Sequence, residues 1–263
     1  MPVNDELGKR MKRYEAIPQI SLMRRTPVAI RIDGKAFHTF TKHLHKPWDN
    51  LFQGAMQETM KYLCQNIQNC VIGYQQSDEI TLILTDYETL TTDAWFGYEV
   101  QKLCSISASM ATMKFNKALD EQLSKYIEYL LTTNTRKENW LSEEEDVYTE
   151  AVNQAVLKGA MFDARCFNIP KEEVTNLIYW RQVDAVRNSI QSMGQAYFSH
   201  KQLMNKNTKE VRKMLEENGT PWEGRPAAEQ RGVACLKGED GWYIDYNMPI
   251  LKGEDRNYVE KLL

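Results

Sequence analysis

Two acidic stretches contain the residues best suited to chemistry. In the first, Asp33 ends a run in which Val28, Ile30 and Ile32 alternate with Ala29 and Arg31, and Gly34-Lys35-Ala36-Phe37-His38 follow it. The period-two pattern predicts a half-buried strand, and Pro27 suits its first position, where no ladder donor is needed. Asp33 then stands at the strand's C-terminal end. Gly34 lets the chain turn with its backbone close to a ligand, and the amides of Lys35 to His38 can converge into an anion-binding nest. The stretch is suited to hold a metal ion and a phosphate together, although an isolated Asp-Gly pair also serves as ordinary turn chemistry.

The second stretch is Gln76-Ser77-Asp78-Glu79, between two predicted strands, 70–75 and 80–84. It reads as a tight hairpin with two carboxylates at its tip. The connecting residues lack the Asn-Gly or Asp-Gly of the commonest hairpin turn, so turn stability does not explain the adjacent acids. Something cationic is expected to offset them. Hard divalent cations are natural partners of carboxylate oxygens. Glu79 either tunes their field or points away into the sheet.

The 263 residues can bury a sizeable core, as one domain or as a domain with a smaller appendage. The formal net charge of −3 argues against gripping nucleic acid by bulk positive potential. Lys9, Arg10, Lys12, Arg13, Arg24 and Arg25 concentrate charge near the N-terminus, as a solvated face or as phosphate contacts. No run approaches a membrane span and no signal-peptide pattern is visible, so a cytoplasmic location is expected. The five cysteines form no C-x-x-C pair and read as reduced core residues. His43-Leu44-His45 lacks a third ligand for a metal site. His38 is either a phosphate donor or a packed core residue.

The positioning elements follow from periodicity. Helices are expected over 7–20, from Asn50 to about 69 with Asn50 as cap, from Asp93 onward with Phe96 on its packed side, and from Pro170 to about 193. Residues 117–158 read as a charged helical insertion, one piece opened by Ser142-Glu143-Glu144-Glu145 with capping-box spacing. A strand is expected over 161–169. The order β-α-β-β-α-β gives an α+β fold of the ferredoxin-like kind, an antiparallel sheet with helices packed on one face, in which Asp33 and Asp78 converge at one edge. Residues 1–198 would form this catalytic domain and 199–263 a C-terminal extension with a helix (208–218) and a hairpin (232–246).

The ordered blocks Arg31-Ile32-Asp33-Gly34-Lys35-Ala36-Phe37-His38, Lys46-Pro47-Trp48-Asp49, Tyr74-Gln75-Gln76-Ser77-Asp78-Glu79 and Trp180-Arg181-Gln182-Val183-Asp184-Ala185 resemble the motifs of the tRNA-histidine guanylyltransferase family. The resemblance runs from about residue 7 to 188. It implies a polymerase-palm-like domain and a 3′-to-5′ nucleotidyltransferase that adds nucleotides to the 5′ end of tRNA, using ATP or GTP and two Mg2+ ions. It implies Asp33, Asp78 and the Gly34 carbonyl as metal ligands. Nucleotide contacts are implied at Asp33 to His38, Lys46, Asp49, Ser77, Asp78, Lys102 and Ser105. It also implies a homotetramer, and tRNA contact at Arg181, Asp184, Arg187 and Asn188; Arg24 and Arg25 are assigned to the same contact from their charge. Tyr179 and Trp180 read as core aromatics.

Members dedicated to tRNA-histidine carry a histidine and an Asn-rich motif after the Trp-Arg-Gln block. This chain has Val186-Arg187-Asn188-Ser189-Ile190-Gln191-Ser192 there. It is similar instead to the guanylyltransferase-like branch, which repairs 5′-truncated tRNAs by templated addition. The alternatives are a strict tRNA-histidine enzyme, a nucleotidyl cyclase built on the same palm, and a non-catalytic RNA-binding protein.

Overall fold

The computed structural model describes residues 5–133 and 142–263. In chain order the elements are α1 (Asp5–Ala16), β1 (Val28–Gly34), α2 (Phe37–Phe40), α3 (Asn50–Asn66), β2 (Cys70–Gln76), β3 (Glu79–Leu84), α4 (Val100–Thr133) and α5 (Glu143–Lys158). There follow β4 (Phe162–Asn168), α6 (Lys171–Tyr197), α7 (His200–Leu203), α8 (Thr208–Glu217), α9 (Ala227–Arg231), β5 (Val233–Gly238), β6 (Gly241–Asp245) and α10 (Asn257–Glu260). The strands form one antiparallel sheet in the order β4-β1-β3-β2-β5-β6.

Alternation in β1 sorts the core into two layers. Val28, Ile30 and Ile32 pack with Ile80, Leu82 and Leu84 of β3 under α3 and α4, where Met56, Met60, Leu63, Ala111 and Phe115 close the layer. Ala29, Ile83, Ile72 and Tyr74 face the other way, against Val174 and Ile178 of α6 and Val259 of α10. The helices therefore cover both faces of the sheet, not one. A sheet whose two faces both carry large aliphatic residues has to be covered twice, and α6 supplies the second cover.

The 117–158 region does not separate from this core. α4 runs on to Thr133, and Ala118, Leu119, Leu123, Tyr148, Val152 and Ala155 belong to the main buried cluster. The Ser142 capping box is present at the start of α5. Before α4, residues Phe96, Gly97 and Tyr98 have left-handed backbones, so the helix starts at Val100 and Phe96 stays exposed. The cap of α3 is Asp49 rather than Asn50: its carboxylate accepts the Phe52 amide at 2.9 Å. The chain after residue 198 contributes two of the six strands, since β5 pairs with β2. Among the described residues no helix is long and apolar enough to cross a membrane.

Candidate active site

β1 and the β2–β3 hairpin are brought together at one end of the sheet. In the antiparallel register Asp33 lies opposite Glu79, and the Gly34 amide donates to the Asp78 carbonyl at 3.2 Å. Gln76 pairs with Glu79, so Ser77 and Asp78 alone make the turn, and Ser77 takes a left-handed φ of 49°. A non-glycine residue in that conformation is strained, and such strain gathers at functional sites. The Ser77 hydroxyl donates to the Asp78 carboxylate at 3.1 Å. The pair converges at the middle of the sheet's end, because β1 and β3 are interior strands, rather than at a lateral edge.

Burial pushes the Asp78 carboxyl above its ordinary range, and the charge of Asp33 pushes it further. Neither carboxylate has a cationic partner among the described residues. The nearby arginines belong to Glu79. Arg181 Nε donates to Glu79 Oε1 at 2.6 Å, and Arg31 Nε lies 3.9 Å from Glu79 Oε2. Arg181 also bonds Asp184 at 2.8 Å, which in turn accepts from Arg187. Glu79 thus meets Arg181 of α6 and is held in an internal ion-pair network there, which accords with the second of its two readings rather than the tuning one. Two unpaired carboxylates fit a divalent cation, although no group of three His, Cys, Asp or Glu side chains converges among the described residues. Asp163 of β4 stands opposite Asp33 in the register, a carboxylate that sequence reasoning did not single out.

A cavity of about 470 Å³ opens beside the hairpin tip. Gly34, Ala36, Phe37, His38, Lys46, Asp49, Ser77, Asp78 and Asn188 line it among others. Of the expected nest, the Lys35 amide is taken by the Met161 carbonyl at 2.9 Å, whereas the amides of Ala36, Phe37 and His38 have no acceptor among the described residues. Ala36 is left-handed, φ 57°, which starts the short turn of α2. Gly34 is needed for a reason other than turning: an added Cβ would sit 2.3 Å from the Phe37 ring. That ring is buried among Phe40, Phe52, Phe115 and Phe162, so Phe37 offers the cavity its backbone and not its side chain. His38 is exposed, with Nε2 3.0 Å from the Thr39 hydroxyl, which removes the packed-core reading.

Several expected contacts lie elsewhere or are already engaged within the protein. Lys102 and Ser105 are exposed on α4 and do not line the cavity; Lys102 pairs with Glu99 at 3.0 Å. The Asp49 carboxylate is buried and fully engaged, by Phe52, by the His45 amide and by the Tyr148 hydroxyl at 2.8 Å. Lys46 donates to the Thr41 carbonyl, and burial lowers its ammonium below the usual lysine range. Arg24 and Arg25 precede the start of β1, about 20 Å from Asp33 by strand rise, and both hold Asp86. Arg181 is 6% exposed, too buried for RNA, whereas Arg187 and Asn188 are exposed. Trp180 is 52% exposed rather than core and stacks under the guanidiniums of Arg181 (4.5 Å) and Arg31 (5.9 Å); Tyr179 is half-buried with Lys252 over its ring. Val186, where the histidine of the dedicated enzymes would fall, packs against the small cluster of Ile190, Met193, Val211 and Trp222.

Comparison with known proteins gives a concordant result. A family model described as tRNAHis guanylyltransferase matches residues 8–170. The fold matches a solved bacterial tRNA(His) guanylyltransferase-like protein in complex with ATP: TM-score 0.81, 40% identity, 97% of this chain and 98% of that one. A bacterial protein of the same description in complex with GTP matches with TM-score 0.76 and 36% identity, over 98% of each chain. An uncharacterized protein of Acanthamoeba polyphaga mimivirus is 29% identical over 247 residues, covering 89% of this chain and 78% of its own length.

Proposed function

The chain belongs to the tRNAHis guanylyltransferase family of nucleotidyltransferases, and on that premise we propose that it adds nucleotides to the 5′ end of tRNA in the 3′-to-5′ direction, copying the opposite strand. The observation that supports this reading is the convergence of Asp33 and Asp78, two carboxylates without cationic partners among the described residues, beside a cavity lined by Ala36, Phe37 and His38. ATP and GTP, each bound in a bacterial relative, are the nucleotides proposed for this cavity.

Asp33, Asp78 and the Gly34 carbonyl would hold two Mg2+ ions. When bound, those ions would supply charge stabilisation for the attacking oxygen and the departing phosphate. The residues of the chain position and screen. The three amides donate to phosphate oxygens, as the Ser77 hydroxyl would once turned from Asp78, and phosphoryl transfer depends mostly on such positioning and electrostatic stabilisation. No side-chain nucleophile is needed. First, a 5′-monophosphate oxygen of the RNA attacks the α-phosphate of ATP or GTP and releases pyrophosphate. Then the 3′-hydroxyl of the incoming nucleotide attacks the activated 5′ phosphate and releases the nucleoside monophosphate.

Arg187 and Asn188, both exposed on α6 and the latter lining the cavity, are proposed to meet the RNA end, replacing the wider basic set. A homotetramer would cover the exposed Leu7, Met11 and Tyr14, spaced three to four residues apart on α1. The packing of Val186 in an apolar cluster favours broad tRNA repair over strict histidine-tRNA specificity. The test is incubation with magnesium, ATP and tRNAs lacking one 5′ nucleotide, supplying matched or mismatched nucleotides. Extension with matched nucleotides across several tRNAs is expected. Guanosine addition to tRNA-histidine alone would overturn the repair reading, and cyclic nucleotide formed without RNA would favour a cyclase.

A further inference from the structure

Gln76 ends β2 one residue before the catalytic turn, and no motif reading gave it a role. Its side chain is 7% exposed and lines the cavity, yet its carboxamide makes no hydrogen bond among the described residues. The adjacent Gln75 differs: its amide is committed to the Ser77 carbonyl at 2.8 Å. Two further polar groups of the wall are engaged as well. The Ser189 hydroxyl accepts from the Trp222 indole at 2.6 Å, and Glu229 holds Arg225 at 2.6 Å. The Gln76 carboxamide, on a residue 7% exposed and with no protein partner among the described residues, therefore presents two donors and an acceptor to whatever occupies the cavity.

The position of Gln76 is fixed from behind. Gly232, at φ +82°, comes so close that an added Cβ would lie 2.4 Å from the Gln75 carbonyl oxygen and 3.1 Å from the Gln76 Cβ. This contact comes from the C-terminal segment, which thereby shapes the cavity as well as extending the sheet.

The chemistry of the missing partner follows from charge and reach. A neutral carboxamide is a poor match for phosphate, which cationic groups and convergent backbone amides serve better. Asp78, two residues on, lies within about 7 Å by strand rise. In a nucleoside triphosphate whose α-phosphate is at Asp78, the next group outward over that distance is the ribose. A ribose diol presents both donors and acceptors, the complement of a primary amide. We propose that Gln76 hydrogen-bonds the sugar hydroxyls of the bound nucleotide and makes the site select ribonucleotides over deoxyribonucleotides. This rests on the proposed function, in that the cavity takes a nucleoside triphosphate.

The test is calorimetric titration of the full-length protein, with magnesium and without RNA, using ATP, 2′-deoxy-ATP and 3′-deoxy-ATP. Wild type is expected to prefer ATP about ten-fold over at least one deoxy analogue, the scale of one buried neutral hydrogen bond. In Gln76→Leu and Gln76→Ala the preference is expected to fall below about two-fold, through weaker ATP binding with the analogue unchanged. Circular dichroism melting checks both variants, and the smaller alanine serves if leucine does not fold. A preference retained in a folded variant, or absent from wild type, overturns the role of Gln76 and leaves the nucleotide cavity standing. Failure of wild type to bind ATP at all overturns both.

Discussion

Arg181→Ala probes the network that steers the acidic hairpin. Arg181 is buried, donates to Glu79 at 2.6 Å and to Asp184 at 2.8 Å, and carries the Trp180 ring 4.5 Å from its guanidinium. Removing one member of a buried pair strands the other charge and costs about 3–5 kcal/mol. Arg31, 3.9 Å from the same carboxylate, offsets part of that loss and places the expected value near 3 kcal/mol. For a chain of this size that corresponds to a melting temperature lower by about 6–12 °C. The pH dependence gives a second readout. Burial raises the Glu79 carboxyl, and Arg181 is the largest influence holding it down. Without Arg181 it rises further, so the folded state binds its proton more tightly than the unfolded chain does. The stability tied to that proton is intact below the unfolded-state value, near 4.5, and is lost as pH rises through the folded one. The deficit of the variant is therefore expected to be largest at neutral pH and to shrink on acidification. Urea unfolding at pH 5 and pH 7 measures both quantities. A loss below about 1 kcal/mol at pH 7, or one independent of pH, would refute the assignment of Arg181 as the structural counter-charge of Glu79.

Other substitutions test neighbouring parts of the site. Gly34→Ala drives a methyl into the Phe37 ring and is expected to cost about 1–3 kcal/mol and to impair activity; an unchanged urea midpoint would contradict that contact. Asp78→Asn removes a carboxyl that burial and Asp33 both disfavour as an anion, so the metal-free variant is expected to be more stable than wild type at pH 7, with the gain vanishing as pH falls below the ordinary aspartate range. Differential scanning fluorimetry with and without Mg2+ reads this directly: magnesium is expected to raise the wild-type melting temperature at pH 7 and to leave Asp78→Asn unmoved. The Cys166 thiol, pushed up to about 12 by burial and by Cys104, is expected to resist iodoacetamide at pH 8 in the folded protein; modification within minutes would contradict that environment.

How far the sequence could be read depended on how local each determinant was. β1 was legible because Val28, Ile30 and Ile32 repeat with the period of the pleat, and the β2–β3 hairpin because its turn is bounded by strand-forming runs. The direction of Glu79 was not legible. A single step along a strand reverses the face, and which face is occupied depends on Arg181, 102 residues away. The second helical layer was missed for the same reason, since α6 is fixed by distant partners such as Pro249 and Leu251, which bond Gln182. The length of α4 was hidden by its charged stretches, although Leu119 and Leu123 keep a buried stripe through them. Lys102 and Ser105 fell outside the cavity because resemblance carries over residue types without the orientation of the helix that bears them. Gln76 went unnoticed because an amide beside two acids carries no chemical signal until its lack of partners is visible.

The claim on which the rest depends is that Asp33 and Asp78 act together on the nucleotide. Its most direct measurement is the rate of labelled nucleotide addition to a 5′-truncated tRNA by wild type, Asp33→Ala and Asp78→Ala, alongside tRNA binding by each. The account predicts loss of addition in both variants with the fold and tRNA binding largely retained. Addition at the wild-type rate by either variant would contradict it.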